Sequence, residues 1–125
     1  MKTALLHYSA APIVGGVENV MHAHAEQFAT SGLQLSIIAG RGDKKAMPPG
    51  VDFFRIDEID SMNPAISAAA EELDNGIIPN SFEMLVDVLV RRLTPVLSDI
   101  DHLIIHNVMT KHFNLPLTAA LFRLM

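Results

Sequence analysis

The stretch that decides the fold runs from Thr3 to Ala39 and reads TALLHYSAAPIVGGVENVMHAHAEQFATSGLQLSIIA. It opens with a nearly continuous apolar run, Thr3–His7, which is typical of a strand covered on both faces. After Gly15-Gly16, residues of one stripe recur at helical spacing, namely Val17, Val20, Met21, His24 and Phe28. Gly32 predicts the end of this helix, and a second apolar strand follows at once. The stretch therefore predicts a β-α-β unit.

The rest of the chain continues the alternation of strands and helices. Further strands are predicted at Val51–Ile56 and His102–His106. Helix starts are predicted at three asparagines: Asn63 before Pro64, Asn80 with Glu83 as a capping pair, and Asn114 before a last helix that still runs at Met125. This order predicts an α/β fold, a Rossmann-like, doubly wound and mostly parallel sheet of order 3-2-1-4, with ligands at the carboxyl ends of the strands.

Composition limits the classes of function. Half of the 125 residues are apolar, which suffices for one domain spanning residues 1–125. The net charge of -5 and the lack of a Lys/Arg cluster argue against a nucleic-acid partner. Without cysteine there is no disulfide, cysteine-zinc site or thiol nucleophile. No apolar run approaches the ~20 residues of a membrane span, so we expect a cytoplasmic protein. Contact with a membrane surface stays open, although no basic amphipathic helix supports it.

The least core-like residues fall where the loops after the first and fourth strands should meet. They are Gly15, Gly16, His106 and Asn107. The glycine pair either forms a tight turn or lets a phosphate approach the free amides that begin the first helix. His106 either bonds to the backbone as a strand-end histidine, or donates to a hydroxyl and stabilises developing charge.

Other motifs are weaker. The G-x-G-x-x-G spacing and the G-K-[ST] signature are both missing, which disfavours classical dinucleotide and P-loop sites. Tyr8-Ser9-Ala10 stands where a phosphoacceptor domain would carry an acidic pair. His22 and His24 lie two apart on a helix and point to nearly opposite sides, so no metal site is expected. We expect His24 to be a hydrogen-bonded interior or interface histidine and His22 to be solvated. Arg41-Gly42-Asp43 is interpreted as a chance match to an adhesion tripeptide.

Two segments resemble the N-terminal domain of GT-B glycosyltransferases of family 4. The first segment is Pro12–Glu18 with the helix, Gly32 and strand that follow it, and it is similar to the family phrase P-x-x-G-G-V-E/Q … L-x-x-x-G-H-x-V. It departs from that phrase at Leu33-Gln34, where the family usually has a histidine. Ile105–Val108, followed by Asn114–Ala120, resembles the family strand end h-H-x-H/N and its helix. The two matches have the expected order and spacing.

The resemblance implies a retaining hexosyltransferase or related enzyme that uses a nucleotide sugar and a hydroxyl acceptor, needing no metal or other cofactor. By resemblance, Gly15-Gly16 would lie by the donor diphosphate and the acceptor, His106 would be catalytic at the transferred sugar, and Asn107 is a further sugar contact. The sequence would then be the truncated acceptor-side domain, inactive alone, with the donor-binding domain absent.

Two alternatives stay open. One is a nucleotide-sugar epimerase of the same architecture, which would use carboxylates in the cleft. The other is a free-standing doubly wound binding or regulatory domain. A second β/α domain beyond Met125, with two glutamates eight positions apart, would favour transfer, whereas a stop codon would favour the binding domain. Because the fourth strand would lack a neighbour on one side, we also expect the chain to self-associate.

Overall fold

The structure, a computed structural model, describes residues 1–125 and is built on one parallel sheet. Its strands are β1 (Lys2–Ser9), β2 (Gln34–Arg41), β3 (Asp52–Arg55) and β4 (His102–Ile105). They pair in the order β3-β2-β1-β4, and every pairing is parallel. The predicted α/β class and strand order are confirmed. All four strands therefore end at one edge of the sheet.

Four helices flank the sheet: α1 (Gly16–Thr30), α2 (Pro64–Asp74), α3 (Phe82–Leu97) and α4 (Leu115–Leu124). Two of the predicted asparagine caps are confirmed, because Asn63 Oδ1 accepts from the amide of Ala65 at 3.0 Å and Asn114 Oδ1 accepts from that of Leu117 at 3.1 Å. Gly32 follows α1 with φ of 72°, the left-handed conformation that a glycine stop requires.

The predicted cap at Asn80 is wrong. The residue before α3 is Ser81, and no side chain caps this helix. The backbone makes a turn here instead, in which the amide of Phe82 donates to the Pro79 carbonyl at 3.1 Å, so the helix starts one residue later than Asn80 would have set it. The last helix also differs slightly from the prediction, since α4 ends at Leu124.

Each face of the sheet has its own apolar core. On one face β1 and β2 pack against α1, and on the other they pack against α3 and α4. The stripe predicted for α1 is partly wrong. Met21 and Ala25 are buried with Val17 and Phe28 packed beside them, whereas Val20 is 46% exposed and His24 is also exposed. The helix is rotated so that Val20 and His24 face away from the core of β1 and β2.

A short 3-10 turn, Asp57–Ile59, connects distant parts of the chain. The buried Asn114 side chain donates to the carbonyls of Glu58 at 2.9 Å and Ile59 at 3.1 Å, which attaches the start of α4 to this turn. Arg92 on α3 pairs with Glu58 at 2.8 Å. Gly40 on β2 lies so close to the Asp60 backbone that a Cβ would collide with it.

None of the helices combines the length and apolar character needed to cross a membrane.

Candidate functional site

The structure brings the predicted site residues to one edge of the sheet, at the carboxyl ends of β1 and β4. Gly15 is the residue before α1 and Gly16 is the first residue of that helix. His106 directly follows β4, and its amide donates to the Leu6 carbonyl of β1 at 2.9 Å. The side chains of His7 and Glu18 lie between the glycine turn and His106, and they connect the two.

The two glycines have different reasons to lack a side chain. At Gly15 a Cβ would overlap the carboxylate of Glu18, the far end of a flexible side chain, so any side chain there would displace Glu18 from its present position. At Gly16 a Cβ would meet nothing within 4 Å. Gly16 is exposed, and no side chain caps α1, so the amides of Gly16 and Val17 have no partner within the helix, while the Glu18 amide bonds to its own carboxylate. The space beside Gly16 is therefore open to a ligand.

The Glu18 carboxylate is the centre of a buried polar group at the start of α1. Its side chain is only 12% exposed, and Ser9 Oγ donates to its Oε1 at 2.5 Å. Burial raises the pKa of Glu18, but the hydrogen bonds from Ser9 and from its own amide, with the positive charges of His7 and Arg41, outweigh burial and hold the pKa below its ordinary value. Glu18 is therefore an anion at neutral pH.

His7 connects this carboxylate to the end of β4. Its Nδ1 lies 3.1 Å from the main-chain oxygen of His106, and its Nε2 lies 3.6 Å from Glu18 Oε1. A carbonyl oxygen only accepts hydrogen bonds, so Nδ1 carries a proton. The imidazolium form would also place a proton on Nε2, on the side of the carboxylate.

His106 has an unusual environment for a histidine at a strand end. Its ring is partly buried, and Nε2 is enclosed without a hydrogen-bond partner. Burial, together with the charges of His7 and His24, holds the pKa of His106 below its ordinary value. The ring is therefore a neutral imidazole at neutral pH, which carries one donor and one acceptor nitrogen.

Asn107 forms a tight turn directly after His106. Its φ is 64°, the left-handed region, and the amide of Val108 donates to the His106 carbonyl at 2.8 Å. A hydrogen bond between residues two apart closes a γ-turn, and a positive φ at its centre gives the rarer and more strained form. The Asn107 side chain is exposed, so a ligand can reach it. The residue thus has a backbone role that the sequence did not predict.

The histidines of α1 are arranged differently from the prediction. His24 is exposed, so the expected interior position is wrong, and the alternative of an interface position stays a prediction. The His24 ring lies 6.5 Å from that of His106 because α1 presents this side toward β4. His22 is partly buried, although a solvated side chain was expected, and its Nε2 lies 3.5 Å from Glu26. No group of three or more His, Asp or Glu side chains is placed to hold a metal ion.

Sequence reasoning missed the connecting residues. From the sequence, His7 is only the end of the first apolar run and Ser9 is only part of Tyr8-Ser9-Ala10, yet the two residues alternate on β1 and share a face of the sheet. Glu18 lies in the first turn of α1, where a carboxylate is favoured, and this was the available signal. Arg41, dismissed with its tripeptide, is the last residue of β2 and forms an ion pair with the largely buried Asp60 at 2.9 Å.

Comparison with known proteins adds no identification. No family model, curated protein or solved structure matches the chain.

Proposed function

We propose that this chain is the acceptor-side domain of a retaining, metal-independent GT-B glycosyltransferase of family 4. The reaction is transfer of a sugar from a nucleotide sugar to a hydroxyl acceptor. One observation carries the proposal: a neutral imidazole with an enclosed nitrogen, His106, lies at the carboxyl ends of parallel strands and is connected through buried side chains to a helix start with an open glycine, Gly16. In open parallel sheets this edge is the usual ligand site.

The helix start suits the diphosphate of a donor. The uncapped amides at Gly16 carry the positive end of the α1 dipole, and the missing Cβ allows a phosphate oxygen to approach the backbone. Glu18 adds a negative charge close by, but His7 and Arg41 lie near enough to offset it. The balance of charge therefore permits an anion at this position.

The neutral His106 ring suits the reacting sugar. Transfer breaks the bond between the sugar C1 and the diphosphate oxygen and forms a bond between C1 and the acceptor oxygen; the acceptor's proton passes to the released diphosphate or to solvent. A neutral imidazole donates one hydrogen bond to a sugar hydroxyl or to developing negative charge, without the desolvation cost of a buried cation. A second domain would hold the nucleotide.

The experiment is replacement of His106 by Ala in the protein that carries this domain together with a donor-binding domain. We expect turnover to fall ~100-fold or more with the fold retained, as for loss of one transition-state donor. His102→Ala is the matched control, because this exposed histidine lies at the opposite end of β4. Turnover of the His106→Ala protein equal to that of the control would contradict the proposed role.

An epimerase is a second candidate because the structure supplies a carboxylate that the sequence did not reveal. Glu18 is ionised and lies at the same edge of the sheet as His106. Its Oε1 is already engaged by Ser9, which argues against a mobile proton-transfer group. Incubation of the two-domain protein with a nucleotide sugar in D2O separates the candidates: deuterium at the sugar C2 without transfer indicates epimerisation, whereas a glycosylated acceptor without exchange indicates transfer.

A further inference from the structure

The direction of the His106 ring depends on the turn that follows β4. The His106 carbonyl receives two hydrogen bonds, from the amide of Val108 at 2.8 Å and from His7 Nδ1 at 3.1 Å. Val108 is fully buried, so the far end of the γ-turn is fixed in the apolar core. His7 is the only side chain that bonds to this carbonyl. It therefore supports the strained turn from the other face of the sheet.

His7 is itself held in place. Its side chain is 8% exposed, and its second nitrogen faces Glu18, which in turn accepts from Ser9 at 2.5 Å. Ser9 is 3% exposed, so the whole series lies in the interior. Two hydrogen bonds hold these residues, from Ser9 to Glu18 and from His7 to the His106 carbonyl, and rotation of either donor would leave a buried polar group unpaired.

We propose that His7 and Glu18 are positioning residues: the hydrogen bond that His7 donates to the His106 carbonyl holds the γ-turn at Asn107 and thereby sets the direction of the His106 ring. Ser9 anchors Glu18. The role of His106 as the group being positioned rests on the proposed function. The hydrogen bond and its effect on the turn do not, and they are measurable on this chain alone.

The same arrangement places charge next to His106. His7 on β1 and His24 on α1 are the titratable groups that act on its ring, and Glu18 on α1 acts on His7. Two further titratable residues, Lys111 and His112, lie in the loop after the turn, and both are exposed. Burial is the largest cause of the lowered pKa of His106, and charge on His7 adds to it, so the residue that supports the turn also favours the neutral form of the His106 ring.

The test compares two substitutions at position 7. His7→Asn retains an N–H donor near the position of Nδ1 but has no charge, and His7→Leu removes both. The first readout is hydrogen exchange of the Val108 amide. We expect exchange to be faster by roughly 2- to 12-fold in His7→Leu, the equivalent of one lost hydrogen bond, and close to the original rate in His7→Asn.

The second readout is the NMR titration of the His106 Cε1–Hε1 signal. Both substitutions remove the imidazole, so loss of its charge alone would move the His106 midpoint equally in both. Because only His7→Asn keeps the donor that sets the ring direction, we expect the midpoint to differ between the two variants. Identical Val108 exchange in the two variants, or identical His106 midpoints in the two, overturns the proposal.

A measurement without substitution covers the case in which the variants do not fold. The 15N shift of His7 Nδ1 in the unaltered chain should be that of a protonated nitrogen throughout the pH range in which the chain is folded. An unprotonated Nδ1 would overturn the proposal. These outcomes are independent of turnover: a failed His106→Ala experiment removes the proposed function and leaves the hydrogen bond intact, and the reverse also holds.

Discussion

The contrast between the two adjacent glycines gives the sharpest prediction. In Gly15→Ala the new Cβ meets the Glu18 carboxylate, the far end of a flexible side chain, which must move. Moving it breaks the hydrogen bond from Ser9 and separates the carboxylate from His7. A hydrogen bond to a charged group contributes about 1.5–3 kcal/mol, and that is the expected loss in the free energy of unfolding.

In Gly16→Ala the new Cβ meets nothing. Alanine in a helix is favoured over glycine by up to about 1 kcal/mol, so we expect stability to be unchanged or slightly raised. An unfolding entropy of about 2.1 cal/mol/K per residue implies a change of about 4 °C in Tm per kcal/mol for a domain of this length. Gly15→Ala should therefore lower Tm by roughly 6 to 11 °C, and Gly16→Ala should not lower it.

The assay is thermal unfolding of both variants, followed by donor kinetics in the two-domain enzyme. Gly16→Val should weaken donor use more than stability, because a branched side chain obstructs the approach of a phosphate to the amides. A Gly15→Ala protein that melts like the unaltered chain would refute the steric argument. A Gly16→Val protein with normal donor kinetics but a much lower Tm would show that Gly16 serves only the turn.

Three further predictions concern charge, strain and assembly. The pKa of Glu18 in the folded chain lies below its ordinary 4.5, so its ionised form adds stability that is fully present above pH 4.5 and is lost as the pH falls through the pKa of the folded chain. The difference in Tm between the unaltered chain and Glu18→Gln should therefore shrink in acid. A difference in Tm that stays constant with pH would contradict this. The positive φ at Asn107 would cost a β-branched residue about 1–2 kcal/mol, so Asn107→Val should lower Tm by roughly 4 to 8 °C, whereas Asn107→Gly should not lower it. The same Tm in both variants would argue against the strained turn. Finally, β4 pairs only with β1, and Ile104 on this open strand is 43% exposed, so we expect the chain to self-associate through β4. Sedimentation should show this association, and Ile104→Lys should weaken it. A monomer at every concentration would refute the prediction of self-association.

The fold was predictable because it depends on features that are local in the sequence. Apolar runs such as Leu35–Ala39 fit only a buried strand, and Asn63-Pro64 and Gly32 mark helix limits through their own backbone and side-chain chemistry. Asn80 shows the limit of such signals, since a backbone turn from Pro79 to Phe82 replaced the side-chain cap.

The candidate site was predictable only in part. Its place followed from the parallel sheet, because strands of one direction end together. The connections within it did not follow, since the contact between His7 and His106 joins residues 99 positions apart. The predicted stripe of α1 was also partly wrong. A 3.6-residue period predicts a face of the helix, but the exact rotation that exposes His24 is set by the packing of Met21 and Ala25 against β1 and β2.

The 3-10 turn at Asp57–Ile59 has a consequence for how the chain folds. It spans three residues, yet Asn114 reaches it across 56 residues of sequence and Arg92 across 34. Contacts of such separation form only after a long loop has closed, and closing it costs entropy before any contact repays it. The first β-α-β unit closes a separation of 32 residues between Lys2 and Gln34, whereas Asn114 at the start of α4 bonds to the turn only after 56 residues have been closed. Folding of the second half should thus be cooperative with the turn, and residues 57–60 should exchange their amide hydrogens together with α4 rather than with β3, their neighbour in sequence.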